Sequence, residues 1–119
     1  MAAPSPMRKQ KDDYQAMRVK WTEPALEDME GIQVYIAKDS TFYARQFIER
    51  IFEAAKKLED FPELGRKVPE ADEREDVREL IFQGYRIIYL HQVDHVTIVT
   101  VIHGSRDLTG MENKPWAVG

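Results

Sequence analysis

An α+β domain follows from two kinds of periodicity in this 119-residue sequence and from their order. Apolar residues recur at helical spacing in the first half, and β-branched and aromatic runs fill the second. A Gln-Gly pair between two of those runs supplies a hairpin turn. The length suits one domain, and 43% hydrophobic content gives it a core without staples.

Residues 1–16 read as a flexible extension, because Pro4 and Pro6 break regular structure and Arg8 to Asp13 is polar. The domain is expected over residues 17–108, with 109–119 as a C-terminal tail lacking a clear period. Arg18 to Trp21 reads as a short strand with Val19 and Trp21 on one face. Thr22 suits a helix N-cap, with Pro24 in the first turn where its missing N–H costs nothing. Ala25, Met29, Ile32 and Ile36 then form one helical stripe, although Gly31 is a poor helix former.

Asp39-Ser40 interrupts that stripe and can cap a second helix. Its stripe is Ala44, Phe47, Ile51, Ala54 or Ala55, and Leu58, closed by Phe61-Pro62. So short a connection predicts a helical hairpin. Residues 63–69 are rich in turn formers, and the charged run 70–76 is expected in solvent. Strands are predicted over 77–82, 85–91 and 96–103. With Gln83-Gly84 as the turn, Arg78, Leu80, Phe82, Tyr85, Ile87 and Tyr89 share one face. Glu79, Ile81, Arg86 and Ile88 share the other. Apolar residues on both faces of the last strand make it central. The order is β-α-α-β-β-β, a mostly antiparallel sheet with the N-terminal helical hairpin on one face.

Several chemistries are excluded by what the sequence lacks. Without cysteine it has no disulfide, thiolate metal site or cysteine nucleophile, and it fits a reducing cytoplasm. Glycine-rich phosphate loops and metal-spaced His clusters are also absent, so no cofactor or metal is expected. No window is apolar enough to span a membrane, and no membrane partner is expected. The net charge of −4 argues against a protein that lives on nucleic acid alone. Residues 1–22 are basic (five bases, two acids), and the acids outnumber the bases in the rest of the predicted domain.

The polar candidates lie in the second half. Arg66, Arg86, His103 and Arg106 can orient and neutralise an RNA phosphate or, for His103, move a proton. Each also has a structural alternative. Arg66 can cap the second helix or pair with Glu63. Arg78 can pack its stem along the sheet. Arg86 lies diagonal to Glu79, which suits an ion pair. Arg106 can pair with Asp107 or the acidic loop. His91 and His95 read as exposed or locally hydrogen-bonded.

Several pieces in order resemble the RelE/ParE superfamily of toxins from type II toxin–antitoxin pairs. They are Phe61-Pro62-Glu63-Leu64-Gly65-Arg66, Val68-Pro69-Glu70, Val77-Arg78-Glu79-Leu80, Gly84-Tyr85-Arg86-Ile87-Ile88-Tyr89 and Val101-Ile102-His103-Gly104-Ser105-Arg106. In the first half, Val19-Lys20-Trp21-Thr22, Ala25, Ile32, Tyr35-Ile36, Ala44, Phe47 and Ile51 agree. The resemblance implies the β-α-α-β-β-β fold and a cognate antitoxin as partner. RelE-like members cleave messenger RNA in the ribosome, a metal-independent endoribonuclease chemistry, whereas ParE-like members inhibit DNA gyrase.

The acidic run 70–76 and the lack of a tyrosine beyond Tyr89 are more similar to ParE. A gyrase inhibitor without a catalytic step is therefore the expectation. The alternative nuclease would use Arg66 and Arg86 on phosphate, with His103 standing in for the histidine of some RelE-like members and Arg106 assisting. A third reading is a degenerate toxin that keeps only antitoxin binding and acts in repression or plasmid maintenance. For the antitoxin, an apolar groove on the helical hairpin and sheet is expected, with Tyr35, Phe42, Tyr43 and Trp116 as contact aromatics. Free toxin is also expected to be capable of homodimerising.

Overall fold

The computed structural model describes residues 16–117. The expected extension therefore lies, apart from Ala16, outside the described residues. Strand β1 (Arg18–Trp21) runs into helix α1 (Glu23–Ala37), and α2 (Thr41–Lys56) follows after three residues. Both helices start where the sequence places a cap. The Thr22 hydroxyl accepts from Ala25 N–H at 3.2 Å, and the Ser40 hydroxyl accepts from Tyr43 N–H at 3.0 Å. Helix α2 stops at Lys56, short of Phe61-Pro62, and a 3₁₀ turn at Lys57–Glu59 carries Leu58 into the core. Next come β2 (Arg66–Lys67), a 3₁₀ turn (Pro69–Ala71), β3 (Val77–Phe82), β4 (Tyr85–His91) and β5 (His95–His103).

These strands form one sheet in the order β1-β5-β4-β3-β2. Only β1–β5 is parallel; the other three pairings are antiparallel. Strand β5 is internal, as its two apolar faces require. The β3–β4 hairpin turns at Gln83 (φ 45°) and Gly84 (φ 89°). Two positive φ values in a two-residue loop match the twist of the flanking strands.

The helices cover one face of the sheet. Met29, Ile32, Phe47, Ile51 and Leu58 meet Ile87, Tyr89, Val96, Ile98 and Val101 there. A second, smaller core fills the opposite face, where Val77, Ile88, Leu90 and Val99 meet Val68, Ala71, Leu108 and Trp116. Two expectations change here. The run 70–76 is not wholly solvated, because Ala71 is buried and Glu70 is drawn against Arg86. Trp116 is only 6% exposed and packs in this core, so it is removed from the contact aromatics.

Between Ile88 and Tyr89 the pairing with β5 slips by one residue: Ile88 pairs Thr100 but Tyr89 pairs Ile98. Val99 is the extra residue of a β-bulge. A slip of one residue exchanges the faces of everything beyond it. Val96 and Ile98 sit in the helix-side core before the bulge, and Val101 sits there after it.

The loop from Phe61 to Gly65 is fastened to the sheet by Tyr89. Its hydroxyl accepts from Gly65 N–H at 2.9 Å and donates to Pro62 C=O at 2.8 Å. A side chain at 65 would put its Cβ 2.6 Å from the Glu79 carbonyl, so only glycine allows this approach. Replacing Tyr89 with Phe strips a buried N–H of its partner. The expected loss is about 1–3 kcal/mol in urea unfolding. A loss below about 0.5 kcal/mol would mean that the loop is held by other contacts.

Candidate functional site

Register puts Arg66 directly opposite Glu79 on β3, and Glu79 diagonal to Arg86 on β4. Glu79, almost fully buried, binds both: Arg66 Nε at 2.7 Å and Arg86 Nε at 2.6 Å. Arg86 is also buried. Its Nη2 donates to Glu70 Oε1 at 2.7 Å, and its Nη1 to Glu70 Oε2 at 3.0 Å and to the Arg106 carbonyl at 2.8 Å. Glu70 in turn accepts from Leu108 N–H at 3.1 Å. The predicted Arg86–Glu79 pair is thus present. Arg66 pairs with Glu79 rather than with Glu63 or the helix end.

Beside this network an open cavity of about 610 Å³ is lined by Arg66, Glu70, Ile81, Arg86, Ser105 and Arg106, among others. Arg66 and Arg86 are matched there by carboxylates, whereas Arg106 is not. A phosphate binding the Arg86 guanidinium would have to displace Glu70 or Glu79 from it, which strands an uncompensated buried charge.

His103 is not part of this arrangement. It pairs across the sheet with Tyr85, and the two rings meet edge to face at 5.6 Å. Tyr85 packs against the helix-side core, whereas Arg86, its neighbour in sequence, points to the other face. His103 Nδ1 accepts from Ser105 N–H at 3.2 Å and lies 2.7 Å from the Ser105 hydroxyl. The backbone donor leaves Nδ1 its lone pair, so the proton of the neutral ring is on Nε2. His103 and Arg106 do meet, in a groove of about 360 Å³ beside α1. Arg66 and Arg86 do not line that groove.

Arg78 and His95 have local partners. Arg78 Nη1 donates to Gly65 C=O at 2.8 Å, while its buried Nε has no hydrogen-bond partner. His95 lies 2.7 Å from Asp94. The Arg106 guanidinium pairs with neither Asp107 nor the acidic loop; no described carboxylate holds it. Among the described residues no three His, Asp or Glu cluster as a metal site would need.

A model of the family described as the ParE toxin of the type II toxin–antitoxin system, parDE, matches residues 19–108. The chain belongs to the ParE toxin family. Its fold is shared with a solved structure titled "Chromosomal ParDE TA system from P. aeruginosa". That chain is 22% identical, with a TM-score of 0.62, and the match covers 74% of this chain and 96% of that one. No curated protein matches.

In this ParE-family chain the other three aromatics expected at a contact are exposed on the helical hairpin. Tyr35 is 68%, Phe42 71% and Tyr43 48% accessible, with Val34 beside them at 64%. Lys38 Nζ lies 5.7 Å from the centre of the Tyr35 ring. Sequence reasoning missed Glu70 as the second clamp on Arg86, because a charged residue in an acidic run ordinarily reads as solvated. It also missed Asp28, which reaches from α1 to β5 and accepts from Thr100 Oγ1 at 2.6 Å and Val101 N–H at 3.1 Å.

Arg86, chiefly through its hydrogen bonds, lowers the Glu70 carboxyl from 4.5 to about 2. A carboxyl depressed on folding stabilises the native state above its unfolded value. That contribution is complete above pH 4.5 and is lost as pH falls from 4.5 toward 2. The gap in urea midpoint between the unmodified protein and Glu70→Gln is therefore expected to be constant above pH 4.5 and to close below it. A gap unchanged at the acid end would place the stabilisation elsewhere.

Proposed function

We propose that this chain is a toxin that inhibits DNA gyrase by binding it, without a catalytic step, and that a cognate antitoxin holds it inactive in the cytoplasm. Membership in the ParE family supports the toxin role. The observation that carries the binding reading is the separation of the candidate catalytic groups. Arg66 and Arg86 are closed by carboxylates on one face of the sheet, and His103 lies on the other. A nuclease needs a proton-transfer group and phosphate-neutralising cations around the same scissile bond. Here Arg66 and Arg86 are engaged by carboxylates on one face, and His103 stands on the other with Arg106 as its one candidate cation among the described residues.

The antitoxin part of the reading rests on the hairpin. Val34, Tyr35 and Phe42 expose large apolar side chains with no partner that buries them. A segment that lays apolar residues across the hairpin would remove this area from water.

Purified toxin, freed of antitoxin, is expected to abolish gyrase supercoiling and to leave messenger RNA intact in a translation mixture. His103→Ala is expected to keep its potency against gyrase within about twofold, as a surface change outside the contact does. Cleaved message with normal supercoiling would overturn the proposal in favour of the ribosomal nuclease. Neither effect, together with retained antitoxin binding, would favour a toxin reduced to that binding alone.

A further inference from the structure

Gly31 has no evident reason to be glycine within this chain. It lies in the interior of α1, is exposed and has no positive φ. A Cβ built on it meets nothing within 4 Å. Glycine weakens a helix interior relative to alanine, so the residue costs stability without easing any internal contact. It forms a notch in the wall of the groove between α1 and the end of β5, flanked by Glu27 and Tyr35 one turn to either side.

Two charges of opposite sign at this notch, Glu27 and Arg106, have no ion-pair partner among the described residues. Helix α1 carries Glu23, Glu27, Asp28 and Glu30 and no lysine or arginine. The Asp28 carboxylate is engaged by Thr100 and Val101, whereas no described cation binds Glu27. Across the groove stand Arg106, without a carboxylate, and His103. A nucleic acid or an anionic membrane surface would meet the carboxylates of α1. The complementary object is a polypeptide whose backbone comes close at Gly31, with a basic side chain for Glu27 and an acidic one for Arg106.

We infer that this groove is the selective part of the antitoxin-binding surface: it admits a segment with that charge order and excludes one with the reverse order. The inference rests on the antitoxin reading above and adds to it where the antitoxin is discriminated. Apolar contact at the hairpin supplies area, while the groove supplies register, because a reversed or shifted segment places like charges together.

The test is calorimetric titration of the purified toxin with the antitoxin encoded beside it, using five toxin variants. Glu27→Lys, Arg106→Glu and Gly31→Leu are expected to weaken binding by about tenfold or more. Gly31→Ala is expected to raise the melting temperature of free toxin by roughly 3–6 °C and still weaken binding. A merely structural glycine would not separate those two readouts. Val93→Thr, on the far β4–β5 loop, is expected to bind within about twofold of the unmodified toxin. If the unmodified toxin binds and all four groove variants match it, the groove is wrong and the antitoxin reading stands. If the unmodified toxin does not bind, both fall. If the groove variants lose gyrase inhibition but bind antitoxin normally, the assignment of the occupant is overturned.

Discussion

Arg86 carries a permanent charge into the interior of a small domain, and much of the second face is arranged around it. The guanidinium is held by Glu79 within the sheet, by both oxygens of Glu70 from a 3₁₀ turn, and by the Arg106 carbonyl from the segment after β5. Four hydrogen bonds to two carboxylates and a carbonyl offset a desolvation cost that no single partner would cover. The network also fixes where the chain goes next. Glu70 accepts from Leu108 N–H, so the residues that bring Leu108 and Trp116 over Val77, Ile88 and Leu90 leave the sheet at a set point. A charged cluster thereby positions an apolar one.

The same network limits what this face can do. Guanidiniums engaged by buried carboxylates are poor receptors for phosphate, because exchange leaves a carboxylate buried without its cation. The bulge at Val99 completes the separation by setting the face onto which the end of β5 directs His103. The chain therefore shares its family's fold while its charged residues on the second face serve architecture. The features that look outward are Val34, Tyr35, Phe42, the Gly31 notch and Glu27 on the helical hairpin, and Arg106 after β5, neither charge having an ion-pair partner among the described residues.

How much of this was legible in the sequence depended on the range of the interaction. Caps and turns are local, so Thr22, Ser40 and Gln83-Gly84 were readable and are observed in those roles. The helix stripes and the faces of β3 and β4 follow from periodicity, and with them the Arg86–Glu79 pair, since a correct hairpin register makes the two diagonal. Strand β2 is two residues long and has no period to read. A bulge leaves the alternation intact on both sides and betrays itself only in the register with another strand. Glu70, Ala71 and Trp116 were misjudged because their partners are distant in sequence: burial of an acid beside acids makes sense only once Arg86 is known to be there. The candidate site was legible as a list of residues but not as a geometry, and it was the geometry that set His103 apart from Arg66 and Arg86.

A double-mutant cycle between positions 79 and 86, using Glu79→Gln, Arg86→Met and the pair, measures the coupling on which this account rests. If the buried carboxylate and guanidinium organise the second face together, the double variant loses less than the two single variants combined. The expected coupling is about 2 kcal/mol or more in urea unfolding. Additive losses, with a coupling below about 0.5 kcal/mol, would mean that Arg86 is held independently of Glu79. Its charge would then rest on Glu70 and the Arg106 carbonyl alone, contrary to the joint role of Glu79 and Arg86 given above.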